Sequence, residues 1–93
     1  MRIKFQEEFL FELNNQIHYI SKDKPVAARK FKSDLLRNIN KDLKNPLQFK
    51  KSIYYNDENI RDYVFKAYKV VIKVDIELET VSVVAILKHK NSL

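Results

Sequence analysis

The 93 residues carry 18 Lys and Arg against 12 Asp and Glu, with no Cys and no Gly. That length allows one domain, spanning residues 1–93, with a thin hydrophobic core. The net charge of +6 favours an acidic partner: nucleic acid, an anionic surface or an acidic protein. Without Cys there is no disulfide framework and no zinc–thiolate site, which fits a reducing cytoplasm. Without Gly there is no P-loop and no dinucleotide fingerprint. No apolar run reaches the ~20 residues of a membrane span. Glu7, Glu8 and Glu12 interrupt the N-terminal apolar stretch, which argues against a signal peptide.

In chain order, Ile3 and Phe5 alternate with Arg2 and Lys4, the pattern of a short strand. A helix follows from about Glu7 to Lys22. Phe9, Leu13, Ile17 and Ile20 share one of its faces, Leu10 widens that stripe, and Glu7 and Glu8 suit its N-terminal dipole. Pro25 opens a second helix running to about Lys44, striped by Ala27, Ala28, Phe31, Leu35, Ile39 and Leu43. The short connection makes the two helices antiparallel. Asn45-Pro46 ends the second.

Beyond Pro46 the period drops to two. Phe49, Lys51, Ile53 and Tyr55 alternate with Lys50, Ser52 and Tyr54, and Asn56 to Asn59 form a polar turn. Ile60 to Phe65 reads as another strand. Tyr68, Val70, Ile72 and Val74 face one way and Lys69, Val71, Lys73 and Asp75 the other. Ile76 to Thr80 is a Gly-free turn of more than two residues, and Val81 to Leu87 is apolar enough for a central strand covered on both faces. The expected fold is α+β: a helical hairpin packed on a twisted antiparallel sheet of three to four strands.

Lys50, Lys51, Arg61, Lys66, Lys69, Lys73, Lys88 and Lys90 crowd the strand half, interleaved with Tyr54, Tyr55, Tyr63 and Tyr68. Cations neutralise phosphates and Tyr rings stack on bases. An imidazole can serve as acid or base near neutral pH, so His89 with Arg61, Lys69 and Lys88 could supply the acid, base and cations that RNA cleavage needs. The competing reading is a solvated sheet face and a chain-end His. Asp75, Glu77 and Glu79 alternate without any companion at ligand spacing, so no metal or other cofactor is expected.

These motifs, in this order, resemble the RelE/ParE superfamily of type II toxin–antitoxin toxins. The resemblance covers nearly the whole chain. It runs through Ile17-His18-Tyr19-Ile20, the helix opening from Lys24 to Phe31, Leu43-Lys44-Asn45-Pro46, Arg61 ahead of Tyr68 to Asp75, and Val83 to His89. It implies a toxin silenced by a cognate antitoxin that wraps it. RelE-like members are ribosome-dependent mRNA endonucleases, and ParE-like members inhibit DNA gyrase. By motif, Arg61, Lys69 and either Lys88 or His89 match the family's working positions. Lys50, Lys51, Tyr54, Lys73 and Lys90 would form the surface that meets nucleic acid or the target. Ile72 replaces a Tyr common in the family, and the tail from Lys90 to Leu93 lacks the family's Arg-rich, Pro-containing ending. Three readings therefore stay open: a metal-independent endoribonuclease acting on ribosome-bound mRNA, a gyrase poison without chemistry of its own, and an inactive relative that binds antitoxin. None involves a membrane.

Overall fold

The computed structural model describes residues 1–88. The order is β1 (Arg2–Phe5), α1 (Glu7–Ser21), α2 (Pro25–Asp42), a 3-10 turn (Pro46–Gln48), β2 (Lys50–Lys51), β3 (Ile60–Phe65), β4 (Tyr68–Asp75) and β5 (Thr80–Lys88). Both helices form because their apolar residues recur on one face and no Gly or internal Pro interrupts them. The chain turns after α1 through Asp23 and Lys24, whose backbone N–H groups both donate to the Ile20 carbonyl. Pro25 then starts α2, where its missing N–H costs nothing. The second helix stops at Asp42, short of the expected Lys44, because Pro46 drives Asn45 out of the helical region.

The five strands form one sheet in the order β1-β5-β4-β3-β2. This is more than the expected three to four strands, and the sheet is mixed rather than purely antiparallel. β1 lies parallel to β5, pairing Arg2 with Thr80 and Phe5 with Val83. The remaining neighbours are antiparallel. The alternation after Pro46 overstates its strand: only Lys50 and Lys51 pair with β3, opposite Asp62 and Arg61. From Ser52 the chain leaves the sheet as a loop, and the Tyr54 N–H donates to the Ser52 hydroxyl.

The core lies between the helical hairpin and one face of the sheet. Phe9 and Leu13 of α1 and Ala28, Phe31, Leu35 and Ile39 of α2 are buried. They meet Tyr63, Val70, Ile72, Val74, Val81, Val83 and Ile86. Ala27 and Leu10, read as part of the helical stripes, are exposed instead. In β5 the inward residues are two and then three apart. The register slips by one between Val71 and Ile72, leaving Val84 as the extra residue. This bulge keeps Val81, Val83 and Ile86 on the core side. It also explains why the run from Val81 to Leu87 needs no second covering layer: Leu87 is exposed and Val84 and Ala85 are half-buried.

Two connections use the left-handed region without Gly. Lys66 has φ 53° in the two-residue turn between β3 and β4, and Glu79 has φ 51° before β5. The Phe31 ring packs under the first turn, 5.0 Å from Tyr68 and 5.9 Å from Phe65.

Leu35 is fully buried, whereas Val26 on the same helix is 69% exposed. Leu35→Ala is expected to destabilise the fold by about 2–5 kcal/mol and Val26→Ala by under about 0.5 kcal/mol. The urea midpoints of the two variants check this contrast.

Candidate functional site

Arg61 starts a strand whose neighbours fix its direction. It pairs with Ile72, so its side chain rises on the helix side of the sheet. There its hydrogen bonds reach no other candidate among the described residues. Its Nε donates to the Glu58 carbonyl at 2.7 Å, and one Nη donates to the carbonyls of Phe49 at 3.0 Å and Leu47 at 3.2 Å. A planar guanidinium suits this work because its donors fan out in a fixed fork. Arg61 thus clamps both ends of the segment that holds β2 and its loop.

Lys69 lies on the opposite face of the sheet, across from Val64. Its Nζ sits 3.7 Å from Asp62 Oδ2 and 5.1 Å from the centre of the Tyr54 ring. Both partners of the pair are nearly closed off from solvent, with side-chain exposures of 11% and 7%. Removing two charges from water carries a desolvation penalty that the attraction and the ring must offset. The second carboxylate oxygen of Asp62 has no hydrogen-bond partner among the described residues.

Lys88 closes β5 opposite Tyr68, which places it on the helix side. Lys69 and Lys88 therefore stand on different faces, although Tyr68 and Lys69 are consecutive. Arg61 shares a face with Lys88 but pairs four residues further along β4. The sequence-derived set of Arg61, Lys69 and Lys88 does not come together. His89 and Lys90 lie outside the described residues. Lys73, exposed, pairs with Ile60 and Ser82 at the other end of the open face.

Lys50, Lys69 and Asp62 share the open face, and Lys51, across from Arg61, stands at the same edge. With Gln48, Phe49, Ile53, Tyr63 and Val64 they line a groove of about 620 Å³ at the β2–β3 edge. Tyr54 stands beside it over Lys69. The adjoining loop exposes Ile53, Tyr54 and Tyr55 at 79%, 57% and 49%. Asp62 was not singled out by the sequence reading. Its signal was an isolated carboxylate inside the strand Ile60 to Phe65, at the position that pairs with Lys50 of β2.

The groove floor is tied to the helices by Tyr63, whose hydroxyl donates to Asp42 Oδ2 at 2.6 Å. Burial, then the hydrogen bond and the nearby carboxylate charge, raise the Tyr63 pKa far above its usual 10.0. The folded state thus holds this proton more tightly than the unfolded chain. Its contribution is complete below the unfolded value of 10.0 and is lost as pH rises towards the folded one. Among the described residues no cluster of three or more His, Cys, Asp or Glu is placed to hold a metal. No described helix is long and apolar enough to cross a membrane.

Two substitutions test these linkages. Arg61→Ala is expected to cost about 2 kcal/mol, since it strips donors from three carbonyls at once. Any loss of activity in that variant must be read beside its melting temperature. Tyr63→Phe is expected to cost about 1–2 kcal/mol at neutral pH and to flatten the fall in stability above about pH 10. Urea titrations from about pH 7 to 11 read both effects.

No curated protein matches the chain. Among solved structures it is similar to a chain of the chromosomal ParDE toxin–antitoxin system from P. aeruginosa. That match has a TM-score of 0.76 at 14% identity and covers 97% of each chain. It is also similar to the isolated E. coli RelE toxin, with a TM-score of 0.56 at 15% identity, covering 98% of this chain and 86% of the other. A chain of the intact E. coli RelBE toxin–antitoxin complex gives 0.55 at 15% identity, covering 97% and 98%. These likenesses concern the fold. The family model described as the ParE toxin of the type II toxin–antitoxin system parDE matches residues 3–93, and on that match the chain belongs to the ParE toxin family.

Proposed function

We propose that this toxin inhibits growth by binding DNA gyrase, without cutting RNA, and that a cognate antitoxin protein silences it. The observation that carries this reading is the divergence of three of the four candidates, Arg61, Lys69 and Lys88. General acid–base cleavage of RNA needs its groups within hydrogen-bond reach of one phosphate. Here Lys69 and Lys88 occupy opposite sheet faces. The Arg61 guanidinium is engaged by three backbone carbonyls. What the sheet offers instead is a binding surface: Lys50 and Lys51 beside the groove, with Tyr54 next to them. We assign target contact to these residues, with Lys73 as a separate cation further along the open face. Membership of the ParE family supports gyrase as the target and an antitoxin as the partner.

The purified chain is expected to block supercoiling by gyrase, and its induction in cells lacking the antitoxin to arrest growth. Transcripts sampled during arrest should stay uncut within their reading frames. Ribosome-dependent cuts with unimpaired supercoiling would replace this reading with the endoribonuclease one. Normal growth of cells holding folded protein would leave the antitoxin-binding relative. Lys50→Glu with Lys51→Glu should weaken gyrase inhibition at least about tenfold while leaving the melting temperature nearly unchanged, since both side chains are exposed.

A further inference from the structure

We propose that Lys69, held by Asp62, is a positioning residue for target binding. Its ammonium group fixes the Tyr54 ring, and through it the exposed tip of Ile53, Tyr54 and Tyr55. This deepens the assignment of Tyr54 to the contact surface and rests on it.

The ion pair lies where charge is expensive and stability gains little from it. The helices cover one face of the sheet, and Asp62 and Lys69 stand on the other. Both side chains are nonetheless nearly closed off from solvent. Part of the cover comes from the loop after β2: the Tyr54 ring lies 5.1 Å from Lys69 Nζ, and Ile53 lines the same groove. An apolar pair of similar size would serve stability as well or better. One Asp62 oxygen even lacks a hydrogen-bond partner among the described residues. What the charges add is direction. Asp62 draws the ammonium group to one place on the face, and that group attracts the face of an aromatic ring.

The tip needs such a hold, because the loop is anchored only towards its ends. At its start the Ser52 N–H donates to the Ile60 carbonyl at 2.8 Å, and the buried Ser52 hydroxyl accepts from the Tyr54 N–H at 3.3 Å. At its end the Asn59 N–H donates to the Asp57 side chain and Arg61 holds the Glu58 carbonyl. Among the described residues no hydrogen bond reaches Ile53, Tyr55 or Asn56. The ring over Lys69 ties this middle stretch to β4. Lys69 is too buried to offer a partner much surface of its own, so its effect on binding passes through Tyr54. A tip already in its bound shape spares the target the ordering of three large side chains.

The test compares the full chain with three variants: Lys69→Met combined with Asp62→Asn, Lys69→Arg, and Tyr54→Leu. The double variant removes both charges and keeps most of both side-chain volumes, so its melting temperature should hold or rise. Its inhibition of gyrase supercoiling should still weaken about tenfold. Lys69→Arg keeps a cation under the ring and should inhibit within about threefold of the parent chain. A purely structural role for Lys69 would move inhibition and melting temperature together. NMR reads the contact directly. The Tyr54 ring current should shift the Lys69 ε-methylene resonances upfield in the parent chain, and Tyr54→Leu should abolish that shift. Backbone order parameters from Ile53 to Asn56 should fall in Tyr54→Leu and in the double variant, and stay high in Lys69→Arg.

The proposal is overturned by unshifted Lys69 resonances in the parent chain, or by order parameters that ignore the loss of ring or charges. Inhibition by the folded double variant equal to that of the parent chain overturns it as well. If the double variant does not fold, the Tyr54→Leu spectra decide. A parent chain that leaves supercoiling untouched removes the gyrase reading and this inference with it, whereas full inhibition by the double variant removes this inference alone.

Discussion

The segment between α2 and β3 depends on the Arg61 guanidinium. After α2 the chain runs from Leu43 to Asn59 with only a 3-10 turn and two residues of strand. Such a stretch leaves carbonyl groups without ladder partners, and each needs a donor. Arg61 supplies donors to Leu47, Phe49 and Glu58, which lie on both sides of β2. One side chain therefore fixes the 3-10 turn, the short strand and the far end of the loop relative to β3. The placement of Lys50 across from Asp62 and of Lys51 across from Arg61 follows from that clamp. A lysine in its place would offer a point charge without the planar fork.

Strand parity decides which cations can cooperate. Adjacent residues in a strand project to opposite faces, so closeness in sequence separates side chains rather than gathering them. Tyr68 joins the aromatic cluster under the helices, and Lys69, one residue on, stands over the open face beneath Tyr54. The bulge at Val84 extends this logic to β5. It restores Ile86 to the core and sends Lys88 to the helix side. Cations that look clustered along the chain are thereby distributed over two surfaces.

Local periodicity made much of the fold legible. The helices and β3, β4 and β5 appear within a few residues of their expected bounds, because each has an apolar face with its own repeat. Partnerships between distant segments were not legible. β1 read as a strand, but its parallel place beside β5 depends on the whole hairpin carrying the chain back across the sheet. The alternation from Phe49 to Tyr55 misled for a different reason. Phe49 packs edge-on to Tyr63 at 5.1 Å, whereas Ile53 and Tyr55 are exposed. Their apolar character does not report burial in a core. Of the candidate site, Lys50, Lys51 and Tyr54 were found by charge and aromatic content. Asp62 was missed because its role exists only once Lys69 is its neighbour across the strands.

That exposed apolar tip bears on how the chain works. Three large side chains in a row, Ile53, Tyr54 and Tyr55, face solvent from a loop closed by the Asp57 side chain, which accepts from the Asn59 N–H at 2.8 Å. Exposed apolar surface of this kind favours association, and a net charge of +6 opposes indiscriminate self-association by like-charge repulsion. The same charge leaves acidic partners free to approach. An exposed apolar and aromatic tip beside lysines and a strand edge has the composition common in binding hot spots. Selectivity would then arise from shape and charge at the β2–β3 edge. A toxin built this way can change its target by exchanging loop residues while its core of Leu35, Ile39, Val70 and Ile72 stays the same.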